Sequence, residues 1–429
     1  MIAREPSAET PGDRLIIKGG ARLRGTVPVA GSVTGAQFLL AAALLGVGAR
    51  DARGVLRNVP AVGAVRGMRA RLASLGLSVE ARGGVVAVTG GGLRPASDWV
   101  GRSDEPGALV RFGALLGRWG QASLTLPTPE AVAALASALR GLNALGAEIG
   151  VTGVTVRAEG GRLRGGSFTL AAPSATETAT LMLAAALARG RTALENCALT
   201  PEIEELGRVL NKMGGRVHGA GTALVTIEGV EALEPVEHTL LPDRIEAGTL
   251  MLAAAITRGD LLVRNCVPEH LLAVTDQLRA ARAEVTAEGG GLRVRGSAEL
   301  APIDIALRPH PGVPRALAAP FLVLMARARG ESVMSDVPGL AVAEFARLGL
   351  DVQVVGDRAV VGGPRRLKGG RVTASDPGMA AALVLAGLAA EGTTEILRIS
   401  HLDRGYERLD RKLKAVGAEV RRARATPSG

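Results

Sequence analysis

Aromatic side chains are nearly missing from this chain of 429 residues: five Phe, two Trp and one Tyr, 2% of the total. That argues against a nucleic-acid surface on which bases stack. It leaves the core to Ala, Leu and Val, because the apolar fraction is still 47%. Cysteine is also scarce. Cys197 and Cys266 are the only two, so at most a single disulfide or a site competes with the reading as buried thiols. They stand in matching contexts, ENCA and RNCV, and are expected to be small buried thiols. No apolar run reaches the roughly 18–20 residues that cross a bilayer. The first residues, MIAREPSAETPGDR, hold no apolar signal segment. A cytoplasmic location, with no membrane and no nucleic-acid partner, is therefore the expectation.

Lysine is rare as well. Lys18, Lys212, Lys368, Lys412 and Lys414 are the full set, and arginine carries nearly all of a net charge of +10. Such a bias can be drift in base composition. Read functionally, it favours anionic ligands such as phosphates. The one dense cluster, Arg421, Arg422 and Arg424, adjoins the polar end ATPSG, expected to be a flexible tail over 425–429. The five histidines form no HxxxH pair and no cluster with cysteine, and no GxxxxGK[ST] loop occurs. No metal and no cofactor are expected. The Gly-Gly pairs at Gly19, Gly83, Gly160, Gly289 and Gly369 read as hairpin turns.

What the chain does have is a repeat. Six Ala/Leu-rich runs stop at Gly48, Gly120, Gly190, Gly259, Gly330 and Gly392, at intervals of 72, 70, 69, 71 and 62 residues. A second helix-to-strand join follows in each: LGLSVE, LGAEIG, MGGRVH, ARAEVT, LGLDVQ and VGAEVR. A period this regular sets the architecture. Each unit reads β-α-β-α-β. In the third, Thr176 to Ala188 form an apolar helix with Gly190 as its C-cap. Thr200 and Pro201 then open a second helix with Glu202, Glu204 and Glu205 in its first turn. RVHGAGTALVTIEG reads as a hairpin. Helices apolar nearly all round are buried ones, so the six runs should lie inside two groups of three.

Four segments carry a resemblance: LIIKGGARLRGTVPVAGS (15–32), LPDRIEAGTLMLAAAITRGDLLVRN (241–265), LVLAGLAAEGTTEI (383–396) and HLDRGYERLDRKLKAVGAEV (401–420). From about Leu15 to Val420 the chain resembles the enolpyruvyl transferases, most of all the branch that acts on UDP-N-acetylglucosamine. The resemblance implies an α/β fold, a two-lobed inside-out α/β barrel of six units. One lobe would hold 1–31 plus 241–424 and the other 32–240. Substrates would bind in the cleft between lobes. The family's chemistry joins the enolpyruvyl group of phosphoenolpyruvate to a sugar hydroxyl and releases phosphate. It needs a positive cradle for the anion, a base and an acid.

Matched position by position, most of those parts are replaced. Val33 and Thr34 stand where the family has Lys and Asn. Glu130, behind Pro127 and Pro129, stands where its flexible loop carries Cys or Asp. Leu135–Leu139 replace the Arg and the run that grips uracil. Ala316, beside Arg315, replaces the catalytic Asp. Pro338 and Gly378 replace two phosphate-binding arginines. Arg404 matches a substrate-binding Arg, Asp376 an acidic residue near the catalytic loop, and Ser174 a residue contacting the UDP-sugar, with Ala175 and Thr176 beside it. Local roles compete with these. Arg404 and Asp403 could only pin the final helix, Ser174 and Asp376 could be helix caps, and Glu130 a solvated first-turn residue.

The expected activity is therefore a re-purposed enzyme of this fold acting on an anionic small molecule, a nucleotide or sugar phosphate. The competing reading is a non-catalytic relative that binds a ligand or a partner protein. A third reading is ordinary carboxyvinyl transfer to UDP-N-acetylglucosamine. A biosynthetic gene neighbourhood would favour the first, and a cell-division or regulatory setting the second.

Overall fold

The computed structural model describes residues 13–47, 51–91, 101–102, 107–337, 339 and 341–424. Gly48, Pro338 and the 425–429 tail lie outside the described residues. The chain divides into two compact units. One runs to Ala30 and resumes at Pro242; the other is Gly31–Leu241.

Among the described residues there are six four-stranded sheets. Each unit of the repeat contributes a strand, a buried helix, a parallel strand, a second helix and a hairpin. The closing β stretch is two antiparallel strands, as the hairpin reading of RVHGAGTALVTIEG expects. In the third unit, Ser167–Thr169 pairs parallel with Arg191–Glu195, and Arg216–His218 with Leu224–Glu228 antiparallel. Two sheets are completed across long sequence distances. Arg14–Lys18 lies between Thr393–Leu397 and Glu419–Ala423, and Arg24–Pro28 pairs with Asp260–Arg264. In the other unit Glu237–Thr239 pairs with Arg53–Arg57. The ends of each unit are therefore sewn into its own sheets.

The six apolar helices are Val33–Gly46, Ala108–Trp119, Ala175–Ala185, Arg244–Ile256, Ala318–Arg327 and Pro377–Ala389. Three form the centre of each hydrophobic cluster, as their all-round apolarity requires. In Arg244–Ile256 every residue from Glu246 onward is buried. Leu250, Met251, Leu252 and Ile256 each contribute about 1.5–3 kcal/mol by leaving water. The shortage of aromatics fits this packing. The Ala108–Trp119 helix crosses Ala175–Ala185 at Gly113 and Gly117, where a Cβ would stand 2.4 Å from the Thr180 carbonyl and 2.7 Å from that of Leu183. Only small residues permit backbones so near.

The glycine stops need correction. Gly120 is a left-handed C-cap, φ 68°. Gly190 is not. Its helix ends at Ala185 with Ala186 as C-cap, and Gly190, φ 84°, turns the chain into the next strand. Of the Gly-Gly pairs, Gly83–Gly84 and Gly289–Gly290 join hairpin strands; those at Gly19, Gly160 and Gly369 lie between elements. Cys197 and Cys266 are free and buried, and burial pushes the Cys197 thiol up to about 11.

A repeated device was not visible in the sequence. Asn58, Asn196 and Asn265 sit at the same place in three units, each left-handed with φ of 54–57°. Each side-chain amide donates to the carbonyl ending the neighbouring edge segment: Leu240 at 3.0 Å, Leu170 at 2.8 Å and Val29 at 2.7 Å. Asn tolerates this backbone region where most residues do not. In the fifth and sixth units the left-handed residue is Asp336 and Arg398.

Candidate functional site

In the discontinuous unit, one end of the Pro377–Ala389 helix gathers several of the singled-out residues. Asp376 is its N-cap. Oδ1 accepts from the Met379 N–H at 2.9 Å and Oδ2 from the Ser375 hydroxyl at 2.8 Å. The first turn packs on the short Ser400–Gly405 helix; a Cβ on Gly405 would stand 3.0 Å from the Cβ of Pro377. Arg404 ends that helix. Its Nη2 donates to Nδ1 of His401 at 2.9 Å, so the neutral imidazole carries its proton on Nε2. That Nε2 is buried and has no hydrogen-bond partner. His401 is held below the usual imidazole range by burial first, then by Arg404 and Arg398, with Asp376 opposing. The result is a neutral imidazole bonded to one guanidinium and within electrostatic reach of a second, a cluster suited to an anion.

The same corner holds two of the positions that the resemblance singled out. Ala316 lies in a short 3-10 turn, Arg315–Leu317, and its carbonyl would be 3.2 Å from a Cβ on Gly378. The structure thus brings together the two positions at which the resemblance places a catalytic Asp and an anion-binding Arg. Here they are a methyl group and a hydrogen atom. Asp403, by contrast, does pin the chain end. Arg422 grips its carboxylate through two bonds, 2.7 and 2.5 Å, and reaches Asp410 at 2.9 Å. The HLDRGYER motif is therefore split: Asp403 is tied to the last strand, while Arg404 is aimed at His401.

The second unit holds the other candidates. Ser174 is the N-cap of Ala175–Ala185 and its hydroxyl accepts from the Glu177 N–H at 3.3 Å. Ala175 and Thr176 form the first turn, and the Thr176 carbonyl accepts from the Thr180 hydroxyl at 2.7 Å. Thr128 caps a helix, Pro129–Ala134, whose first turn carries Glu130. Glu130 is fully exposed, and its own backbone N–H and then the Thr128 hydroxyl hold its carboxyl below the usual range. It is ionised at neutral pH and has no proton to give. In place of the uracil-gripping run, Leu135 is the helix junction and Ala138 and Leu139 are buried in the core. Val33 opens the Val33–Gly46 helix behind the N-cap Ser32. Asp376 and Arg404 thus share one corner of one unit, and Ser174, Ala175, Thr176 and Glu130 belong to the other.

Sequence reasoning missed Arg398 and underrated His401. The signal for Arg398 was available: it is the unit-six counterpart of the Asn residues at the strand ends.

No helix among the described residues is long and apolar enough to cross a membrane, and no described cluster of His, Cys, Asp and Glu has metal-binding form. The chain resembles known proteins along almost its full length. It is 43% identical over 423 residues to a UDP-N-acetylglucosamine 1-carboxyvinyltransferase of Myxococcus xanthus (strain DK1622), covering 96% of this chain and 100% of that one. It is 42% identical over 425 residues to the protein of that name from Anaeromyxobacter sp. (strain Fw109-5), with the same coverage. Its fold is that of the enolpyruvyl transferase NikO from Streptomyces tendae, TM-score 0.85 at 23% identity over 97% of this chain and 100% of that one. EPSP synthase from Acinetobacter baumannii gives a TM-score of 0.74 at 19% identity over 96% of this chain and 100% of that one. The family model for EPSP synthase (3-phosphoshikimate 1-carboxyvinyltransferase) matches residues 17–413, and the chain belongs to that enolpyruvyl transferase family.

Proposed function

We propose that this protein binds an anionic nucleotide or sugar derivative through the cluster of Arg404, His401 and Arg398, as a re-purposed member of its family. On this reading it has left the carboxyvinyl transfer to UDP-N-acetylglucosamine for which its 43%-identical relatives are named. One observation carries the proposal: the carbonyl of Ala316 lies against Gly378 at the corner where the family's base and anion-binding Arg would stand. Neither residue can take a proton or a charge. With Val33 in place of Lys, phosphoenolpyruvate, which carries up to three negative charges, loses the groups that would repay its desolvation. Arg404 and His401 support retention of an anion site, because a guanidinium and a neutral imidazole remain half-buried and side by side.

A second reading, binding without catalysis, is favoured by Asp376. Both of its oxygens are committed to local bonds, which leaves that carboxylate a cap rather than a base. One pair of measurements separates both readings from ordinary transfer. Pure protein is incubated with phosphoenolpyruvate and UDP-N-acetylglucosamine while inorganic phosphate is followed, and nucleotide sugars and sugar phosphates are titrated calorimetrically. The proposal expects no phosphate release and saturable anion binding that is lost in Arg404→Ala. Turnover above about 0.1 per second, within two decades of the usual enzyme median, would overturn it in favour of ordinary transfer. Binding that survives Arg404→Ala would remove the assigned site.

A further inference from the structure

The chain leaves the discontinuous unit after Ala30 and returns at Pro242. Its exit is held by four bonds within that unit. The Val29 N–H donates to the Arg264 carbonyl at 3.0 Å, and Asn265 Nδ2 to the Val29 carbonyl at 2.7 Å. The Asp243 N–H donates to the Ala30 carbonyl at 2.8 Å. The Ala30 N–H donates to Oε2 of Glu246 at 2.7 Å. The last bond differs in kind. Its acceptor is a carboxylate that is only 2% exposed, and the other oxygen of that carboxylate accepts from Lys412 Nζ at 2.6 Å.

The other unit mounts its own exit in the same way. Asn58 donates to the Leu240 carbonyl at 3.0 Å, and the Ser32 N–H to the Leu241 carbonyl at 2.8 Å. Oε1 of the buried Glu205 accepts from the Leu241 N–H at 2.7 Å and faces His238 Nε2 at 2.9 Å. In both units a buried carboxylate with a basic partner holds the last residue before the passage, and an Asn holds the residue before that one. The Asn bond recurs at Leu170, away from any passage, so what the two exits alone share is the buried carboxylate with its basic partner.

We infer that Glu246 is a proton-operated latch on this exit: ionised, it holds the Ala30 amide tightly; protonated, it holds it more weakly. A bond from N–H to carboxylate is roughly twice as strong as one to a neutral acceptor, so the hold depends on charge. The titratable groups acting on Glu246 are few. Lys412 comes from the Leu409–Ala415 helix, and Asp243 caps the start of the helix that carries Glu246. The Tyr406 phenol, bonded to Thr249 at 3.0 Å, lies near enough to interact. The Ala318–Arg327 and Pro377–Ala389 helices, which pack on the same helix, bury only apolar residues. Burial raises the Glu246 carboxyl to about 7; Lys412 and the Ala30 N–H pull it down, and Asp243 adds to the rise. The latch therefore changes state in the neutral range, while the backbone bond at Val29 has no titrating partner.

Amide exchange on the full-length 15N-labelled protein tests this. Protection at Ala30, corrected for the intrinsic pH dependence of exchange, is followed from pH 5 to 9 with Val29 as internal control. The expected result is a rise of about tenfold at Ala30, none at Val29, and a flat profile at Ala30 in Glu246→Gln. In Lys412→Met, which leaves the carboxylate in place, the midpoint should move to higher pH. Protection that does not change with pH, persists as a titration in Glu246→Gln, keeps its midpoint in Lys412→Met, or rises equally at Val29 would overturn the latch.

Discussion

Arg404 Nη2 stands 2.9 Å from Nδ1 of His401, and that single bond fixes both the tautomer and the charge of the imidazole. A protonated His401 would face Arg404 and Arg398 with no acceptor left for the guanidinium. The consequence is measurable. The His401 Cε1–H resonance should titrate below pH 6.5, and in Arg404→Ala its midpoint should move upward. The stability sign follows. The unfolded chain takes the proton first, so His401 subtracts stability as pH falls through its ordinary range. An unchanged midpoint in Arg404→Ala would separate the two residues.

Arg398 occupies a left-handed position, φ 55°, that three other units fill with Asn. Its Cβ makes that backbone costly, by about 1 kcal/mol relative to residues that tolerate the region. Arg398→Asn should therefore raise the unfolding free energy by about 0.5–1 kcal/mol and weaken anion binding severalfold. Chemical denaturation and calorimetry on one variant read both. A variant that is more stable with unchanged anion affinity would make Arg398 a mere repeat irregularity.

The repeat was legible because its signal is spread over the whole chain: apolar runs, caps and joins recur and reinforce one another. The six buried helices followed directly. The helix ends did not, since the stop glycine could serve either as the cap, as at Gly120, or as the turn beyond it, as at Gly190. The candidate site was legible only as a set of substitutions. That Ala316 lies against Gly378 required coordinates, because they come from different units of the repeat. Glu246 and Glu205 were hidden for another reason. Acidic residues in a first turn read as favourable to the helix dipole, and nothing in the pattern says that their carboxylates turn inward to hold a distant backbone N–H.

Placing an arginine at Gly378 should fail on packing alone. A Cβ there would meet the Ala316 carbonyl at 3.2 Å and Asp376 Oδ1 at 3.3 Å, closer than side-chain contacts normally come. Gly378→Arg should cost about 1–3 kcal/mol, as overpacked sites do, and release no phosphate from phosphoenolpyruvate, alone or with Ala316→Asp. Thermal melting gives the first number and the phosphate assay the second. Wild-type stability in Gly378→Arg would show that the corner has room.

A similar contact in the other unit tests the buried carboxylate there. Oε2 of Glu205 lies 2.9 Å from where a Cβ on Gly35 would stand. Gly35→Ala should therefore destabilise despite the better helix propensity of Ala, by about 1–3 kcal/mol. The loss should shrink when Glu205 is shortened to Asp, since residues in contact are not additive. Additive losses in the Gly35→Ala, Glu205→Asp cycle would show that the two do not meet.

Glu246 makes a prediction about the whole molecule that runs opposite to its local one. Its carboxyl is raised to about 7 by burial, well above the ordinary value near 4.3. Between those values the folded protein holds a proton that the unfolded chain has lost. Stability then falls with rising pH, fully present below the lower value and lost through the upper one. The difference is on the order of 3 kcal/mol. His401 opposes it below pH 6.5, so the informative quantity is the difference between wild type and Glu246→Gln, which keeps His401. Urea midpoints from pH 4 to 9 should show the wild type losing stability relative to Glu246→Gln as pH rises, with most of the change complete by pH 8. Equal pH profiles would mean that Glu246 is ionised throughout and that Lys412 compensates its burial in full. The same ionisation that tightens the hold on the Ala30 amide therefore lowers the stability of the fold that carries it.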